Sequence, residues 1–159
     1  MAASLDNTQM QTYFAFTEAA GLLEFAVHQQ LRADGDLSYV QFEILAKLAD
    51  ASRPLTMTDL ADGVVYSRSG ITHQAGLLEQ AGLITRAVSP QDQRAVIVAI
   101  TKAGRARLQK VLPGHIEVVR DLLYGALSAD DVRTLGAIMG RVRDHMRDLP
   151  PRSAASRRR

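Results

Sequence analysis

Ser67-Arg68-Ser69-Gly70-Ile71-Thr72-His73-Gln74-Ala75-Gly76-Leu77-Leu78-Glu79-Gln80-Ala81-Gly82 carries the marks of a helix at both ends. Ser67 can accept a hydrogen bond from an orphan amide of the first turn. Ile71, Ala75 and Leu78 recur on one side of a 3.6-residue period, and Gly82 supplies the left-handed residue that ends helices. The spacing predicts a helix from about Ser67 to Ala81. Immediately upstream, Thr56 and Asp59 form a capping pair after Pro54, opening a short helix with Leu60 and Ala61 inward and Gly63 at its end. Two helices joined across a glycine-containing junction make a helix-turn-helix.

The neighbouring segments complete a small module. Ser38 and Gln41 form another capping box, ahead of a helix over about Tyr39 to Asp50 with Phe42, Leu45, Ala46, Leu48 and Ala49 at helical spacing. Downstream the period changes. Leu83 to Val88 and Ala95 to Ile100 are rich in β-branched residues and flank the polar run Ser89-Pro90-Gln91-Asp92-Gln93-Arg94, which predicts a β-hairpin with a six-residue tip. The second strand is apolar on both faces, so part of it should lie under other elements. The fold class is therefore mainly α with a small β-hairpin wing, a winged helix-turn-helix over residues 37–101.

The flanks are helical. Met10, Tyr13, Phe14, Thr17, Ala20, Leu23 and Val27 recur at mostly three- and four-residue steps in a proline-free run, which predicts one long helix over residues 8–33. Thr101 is a candidate cap for a helix through Leu108, Leu112, Ile116, Val119 and Leu123, with Pro113 expected to kink it. Ser128 and Asp131 cap a last helix bearing Val132, Leu135, Ile138 or Met139, Val142 and Met146, close to a seven-residue repeat that wants a partner. This is more apolar surface than one winged helix needs to cover. Residues 8–36 and 102–149 are accordingly expected to be the dimerisation region of a two-fold homodimer, and 150–159 a disordered basic tail.

Charge separates these parts. The chain of 159 residues has a net charge of +2, but residues 1–52 hold two basic against seven acidic side chains, and residues 53–107 seven basic against four acidic. A positive middle suits a module that meets phosphate. Within the 67–81 helix, Glu79 is the sole carboxylate and sits near the carboxy end.

The second helix of such a motif enters the major groove amino end first. With Ile71, Ala75 and Leu78 inward, Ser69, Thr72 and His73 face outward and Arg68 flanks them. Arg68 suits guanine, Thr72 a thymine methyl or a phosphate, and His73 an acceptor on base or backbone. Gln74 lies nearer the buried side. At the hairpin tip, Asp92, Gln93 and Arg94 form a second contact group, in which Asp92 would hold the loop or the guanidinium while Arg94 reaches a narrow minor groove. Ser67, Arg53, Thr56, Arg86 and Lys102 are candidate phosphate contacts.

Taken together, Ser67-Arg68-Ser69-Gly70-Ile71-Thr72, Leu77-Leu78-Glu79-Gln80-Ala81-Gly82-Leu83-Ile84, the Asp92-Gln93-Arg94 wing and Thr101-Lys102-Ala103-Gly104-Arg105 resemble the MarR family of bacterial regulators, over roughly residues 10 to 147. The resemblance implies a homodimer on pseudo-palindromic double-stranded DNA, with wings in flanking minor grooves. It also implies a small aromatic or phenolic effector bound between the dimerisation and DNA-binding parts, and a repressor relieved by that ligand. Tyr13, Phe16, Tyr39 and Phe42 are the candidates to line such a pocket. Many relatives carry Thr-Arg-Leu-Val where this chain has Thr72-His73-Gln74-Ala75, so base preference does not transfer. The absence of cysteine excludes thiol sensing.

Other functions fit less well. His28, His73, His115 and His145 show no metal-ligand spacing, so neither a metal nor another cofactor is expected, a zinc site across the dimer being the alternative. No nucleophile elbow, phosphate loop or carboxylate pair marks an enzyme. A winged helix used only for protein contacts would show acidic or apolar residues where Ser69, Thr72 and His73 stand. In a small-molecule carrier, Tyr13, Phe14, Phe16, Phe25, Tyr39 and Phe42 would line a pocket. Neither a signal peptide nor a membrane span is evident, and a cytoplasmic protein, associated with the nucleoid when DNA-bound, is expected.

Overall fold

The computed structural model describes residues 4–64 and 66–148; the expected basic tail, residues 150–159, lies outside them. The elements are α1 (Asn7–Gly35), α2 (Tyr39–Asp50), β1 (Leu55–Thr56), α3 (Met57–Gly63), α4 (Arg68–Gln80), β2 (Ile84–Val88), β3 (Val96–Ile100), α5 (Lys102–Val119), a π-helical turn at Arg120–Tyr124, and α6 (Ala129–Arg147).

Local chemistry sets most helix starts. Ser38, Thr56, Ser67, Thr101 and Ser128 each accept a hydrogen bond from the backbone amide three residues on, so the orphan donors of each first turn are met within the sequence that follows. The end of α4 is equally local. Gly82 adopts φ +71°, the Leu83 amide donates to the Leu78 carbonyl and the Gly82 amide to that of Glu79. This six-to-one closure turns the chain out of the helix and directly into β2.

The core is centred on α2, where Ile44 and Leu45 are fully buried, with Leu48 and Phe42 nearly so. Around it lie Leu60, Ala61 and Val64 from α3 and the turn after it, Ile71, Ala75 and Leu78 from α4, Leu83 and Ile84 at the start of the hairpin, and Val98 from β3. Val27 and Leu31 of α1 meet Val111 of α5 in the same cluster. The expected α4 stripe is thus the one that is buried.

The structure adds a strand. β1 pairs antiparallel with β3, Leu55 opposite Val98 and Thr56 opposite Ile97, and β3 pairs on its other side with β2 from Ile84↔Ile100 to Val88↔Val96. The sheet order β1-β3-β2 makes β3 the central strand, which accounts for its apolar residues on both faces. α5 continues through Pro113, which has no amide to give to the Gln109 carbonyl, and passes into the π-helical turn at Arg120. Proline is tolerated where solvent receives the freed carbonyl, and Pro113 is exposed.

Much of the flanking helical surface is left open. Tyr13, Phe14, Phe16, Leu22 and Phe25 of α1, Leu112 and Ile116 of α5, and Ile138, Val142 and Met146 of α6 are exposed in the single chain, and α6 buries none of its residues. Among the described residues no helix is long and apolar enough to cross a membrane.

Candidate nucleic-acid interface

The amino half of α4 presents one continuous exposed face. Ser67, Arg68, Ser69, Thr72 and His73 are all exposed. Ser67 caps the helix through Gly70 N–H at 3.1 Å, and Thr72 Oγ1 donates to the Arg68 carbonyl at 3.1 Å. The Thr72 hydroxyl proton is therefore spent within the helix, leaving the methyl and the oxygen lone pair to face outward. Gln74 is half-buried, and its Oε1 is buried without a partner, which sets it apart from the exposed group.

Tyr66 was not singled out from the sequence. A Cβ on Gly70 would come within 2.6 Å of Tyr66 Cδ1 and 2.7 Å of Ser67 Oγ, so the tyrosine ring lies across the first turn of α4, and a side chain at Gly70 would have to push it or the Ser67 hydroxyl aside. The signal was available in the aromatic residue just before the cap and the glycine at the third helical position.

At the other end of α4, Glu79 is tied to β2. Arg86 Nε and Nη2 donate to Glu79 Oε2 at 3.0 and 2.7 Å, and the Arg86 amide donates to Oε1 at 3.1 Å. Hydrogen bonding by Arg86 holds the Glu79 carboxyl below its ordinary range. This corrects the expected role of Arg86: its guanidinium is committed to a carboxylate and cross-links the helix to the wing strand, so phosphate would have to compete with an ionised partner. It also pairs the one carboxylate of α4. In a Glu79→Ala protein, the Arg86 amide should exchange its hydrogen faster and DNA affinity should fall several-fold, whereas Glu79→Gln should retain more of both. Native-state hydrogen exchange with a parallel DNA titration would measure this.

The wing tip is built on Ser89, a buried residue whose Oγ accepts from the amides of Gln91 and Asp92, both at 3.3 Å. Asp92 Oδ1 accepts from the Arg94 amide at 2.9 Å. Of the two expected tasks for Asp92, shaping the loop is the one observed, and the side chains of Gln93 and Arg94 remain exposed.

The other candidate phosphate contacts divide. Thr56 caps α3 and bonds reciprocally with Asp59, while exposed Arg53 reaches Asp59 at 3.7 Å, which places both at the first turn of α3. Lys102 lies elsewhere. The preceding Thr101 donates through Oγ1 to the Gly82 carbonyl at 2.7 Å, fixing Lys102 beside the carboxy end of α4 and the base of the hairpin. Thirteen helical residues separate that end from Arg68, about 20 Å at 1.5 Å per residue. Lys102 therefore lies away from the exposed amino half of α4.

A cavity of about 330 Å³ opens between α1, α2 and α5, lined by Ala20, Leu23, Glu24, Val27, Tyr39, His115 and Val119. Of the four aromatic residues expected to line a pocket, Tyr39 alone does so. Phe42 is in the core with its ring 4.5 Å from that of His115, and Tyr13 and Phe16 point outward from α1, about half exposed. His115, on α5, could not be placed beside Tyr39 by any local spacing. Burial keeps His115 below its ordinary pKa, and burial followed by Glu24 raises Glu43.

A raised carboxyl opposes folding once it ionises, and the opposition vanishes where the group is protonated in both folded and unfolded states. Glu43→Gln should therefore raise Tm at pH 7, and the gain should shrink as pH falls through the raised pKa of Glu43 and be gone below about 4, where the group is protonated in both states. Melting curves across that range would show it.

Comparison with known proteins matches residues 37–96 to the MarR family. The chain is 31% identical over 112 residues to the HTH-type transcriptional regulator PecS of Dickeya dadantii, covering 69% of this chain and 67% of that protein. Among solved structures, Sco3205, a MarR family transcriptional regulator from Streptomyces coelicolor in complex with DNA, superposes with a TM-score of 0.86 at 30% identity over 94% of this chain and 93% of its own. AbsC, a MarR family transcriptional regulator from the same organism, gives 0.84 at 26% identity over 93% and 100%.

Proposed function

The chain belongs to the MarR family of DNA-binding transcriptional regulators, and from that premise we propose that it acts as a homodimeric repressor of pseudo-palindromic operators, released by a small aromatic ligand. The observation that carries the proposal is the exposed amino half of α4. Arg68, Ser69, Thr72 and His73 are exposed together, and the one acid of the helix is paired with Arg86. Arg68 reads a guanine edge, Thr72 offers its methyl to a neighbouring base, His73 contacts a base or the backbone, and Arg94 enters the flanking minor groove from a tip shaped by Ser89 and Asp92. Ser67, Thr56 and Arg53 supply backbone contacts.

The dimer reading is supported by the exposed apolar lines of α1, α5 and α6, and by an α6 that buries none of its residues within one chain. Two copies related by a two-fold axis would cover them and set two α4 helices one DNA turn apart. The ligand reading is supported by the cavity between α1, α2 and α5. In the cell such a protein works in the cytoplasm, on DNA.

Selection of bound fragments from genomic DNA tests the whole. A pseudo-palindrome should emerge, bound with a steep salt dependence and located over a promoter whose transcription rises when the protein is deleted. Recovery of fragments without a shared motif would overturn sequence-specific control.

A further inference from the structure

The chemistry of the cavity between α1, α2 and α5 points to one class of ligand. Its floor is apolar, from Ala20, Leu23, Val27 and Val119, and its volume of about 330 Å³ lies at the small end of ligand pockets. The polar groups that reach it mainly accept. Glu24 contributes a carboxylate, which has no donor when ionised, and Tyr39 a phenolic oxygen. His115 contributes a ring whose Nδ1 is buried and lacks a hydrogen-bond partner. Among the described residues, no lysine or arginine lines the space. Glu43 lies one turn on from Tyr39 in α2.

We infer that this cavity takes an organic cation, an apolar body of about ten to twelve heavy atoms carrying a protonated amine. The ammonium group would donate to the Glu24 carboxylate and the Tyr39 oxygen, while the apolar body rests on Leu23, Val27 and Val119. The electrostatics agree. The Tyr39 hydroxyl is raised above its ordinary pKa by burial and then by Glu43 and Glu24, and Glu43 is itself raised by burial and by Glu24, so the surroundings of the cavity carry negative charge in excess. A carboxylate or phenolate would add to that excess, whereas a cation relieves it. The inference rests on the reading of this cavity as the effector site, and narrows the ligand within it.

The test uses the full-length protein at pH 7 and three probes sharing one bicyclic body: 1-naphthylmethylamine, 1-naphthol and 1-naphthoate. Binding is measured by calorimetry, and release of the selected operator duplex by fluorescence anisotropy. The amine should bind at least about tenfold more tightly than the naphthoate, and more tightly than the naphthol, because opposite and like charge at one site differ by at least that factor. Glu24→Gln and Glu43→Gln should each reduce amine affinity while leaving the naphthol nearly unchanged. Naphthoate or naphthol binding as tightly as the amine, or no binding by any probe at about 1 mM, would overturn the inference even if both variants failed to fold. Preferential amine binding without release of DNA would uphold the ligand class and overturn the effector reading of the cavity.

Discussion

Arg68→Ala should abolish most operator binding. Arg68 occupies the first position of α4, immediately after the Ser67 cap, where an exposed side chain extends toward whatever the helix end meets. A guanidinium that bonds guanine O6 and N7 together contributes about 1–3 kcal/mol of discrimination. A two-fold dimer makes the contact twice, so about 2–6 kcal/mol is lost, a fall in affinity from roughly thirtyfold to twenty-thousandfold. The loss should be selective, relaxing one base position in each half-site. Arg68→Lys should recover little, since an ammonium lacks the planar fork. Titrations against the selected duplex and its single-base variants distinguish the outcomes: a uniform loss on every sequence would reassign Arg68 to phosphate.

Gly104→Ala should cost the protein much of its stability. A Cβ at this position would run into the Leu83 carbonyl oxygen, lie 2.8 Å from Ile100 Cγ1 and 3.1 Å from the Leu83 carbonyl carbon. The first obstacle is backbone, which cannot rotate aside as a side chain can. That carbonyl also accepts from the Thr101 amide at 3.1 Å, and Leu83 closes the end of α4, so any shift loosens the junction of α4, β2 and α5 together. Overpacking of this kind costs about 1–3 kcal/mol, equivalent to a fall in Tm of roughly 3–10 °C for a chain of this size. Calorimetric melting measures it. An unchanged Tm would mean that α5 can slide away from the hairpin without loss.

Helix α4 is legible in the sequence because its determinants are local. Ser67 bonds three residues ahead, Gly82 ends the helix through its own φ, and Ile71, Ala75 and Leu78 obey a period that depends on nothing outside α4. Features that depend on distant partners were not legible. Thr56 could be read as a cap, but its pairing opposite Ile97 in β1 requires knowing where β3 lies. Arg86 looked like a free cation until the turn at Gly82 brought it back over Glu79. The aromatic residues of α1 were assigned to a pocket by type, yet Tyr13 and Phe16 lie on the outer side of the helix, and the cavity instead gathers Tyr39 and His115 from α2 and α5. Lys102 follows the hairpin closely in sequence but sits at its base rather than near its tip.

α5 joins two features that have so far stood apart. Near its carboxy end it carries His115 and Val119 in the cavity wall, and at its amino end Thr101 and Gly104 are clamped to Gly82 and Leu83, the last link of α4. The intervening helix is a rigid arm of about 20–25 Å. A tilt of about 5° imposed by a molecule wedged at one end carries the other end through roughly 2 Å by simple geometry, comparable to the helix shifts on which switching proteins rely. Since Glu79 and Arg86 bind α4 to the wing strand, α4 and the wing would swing together as one piece, without either unfolding.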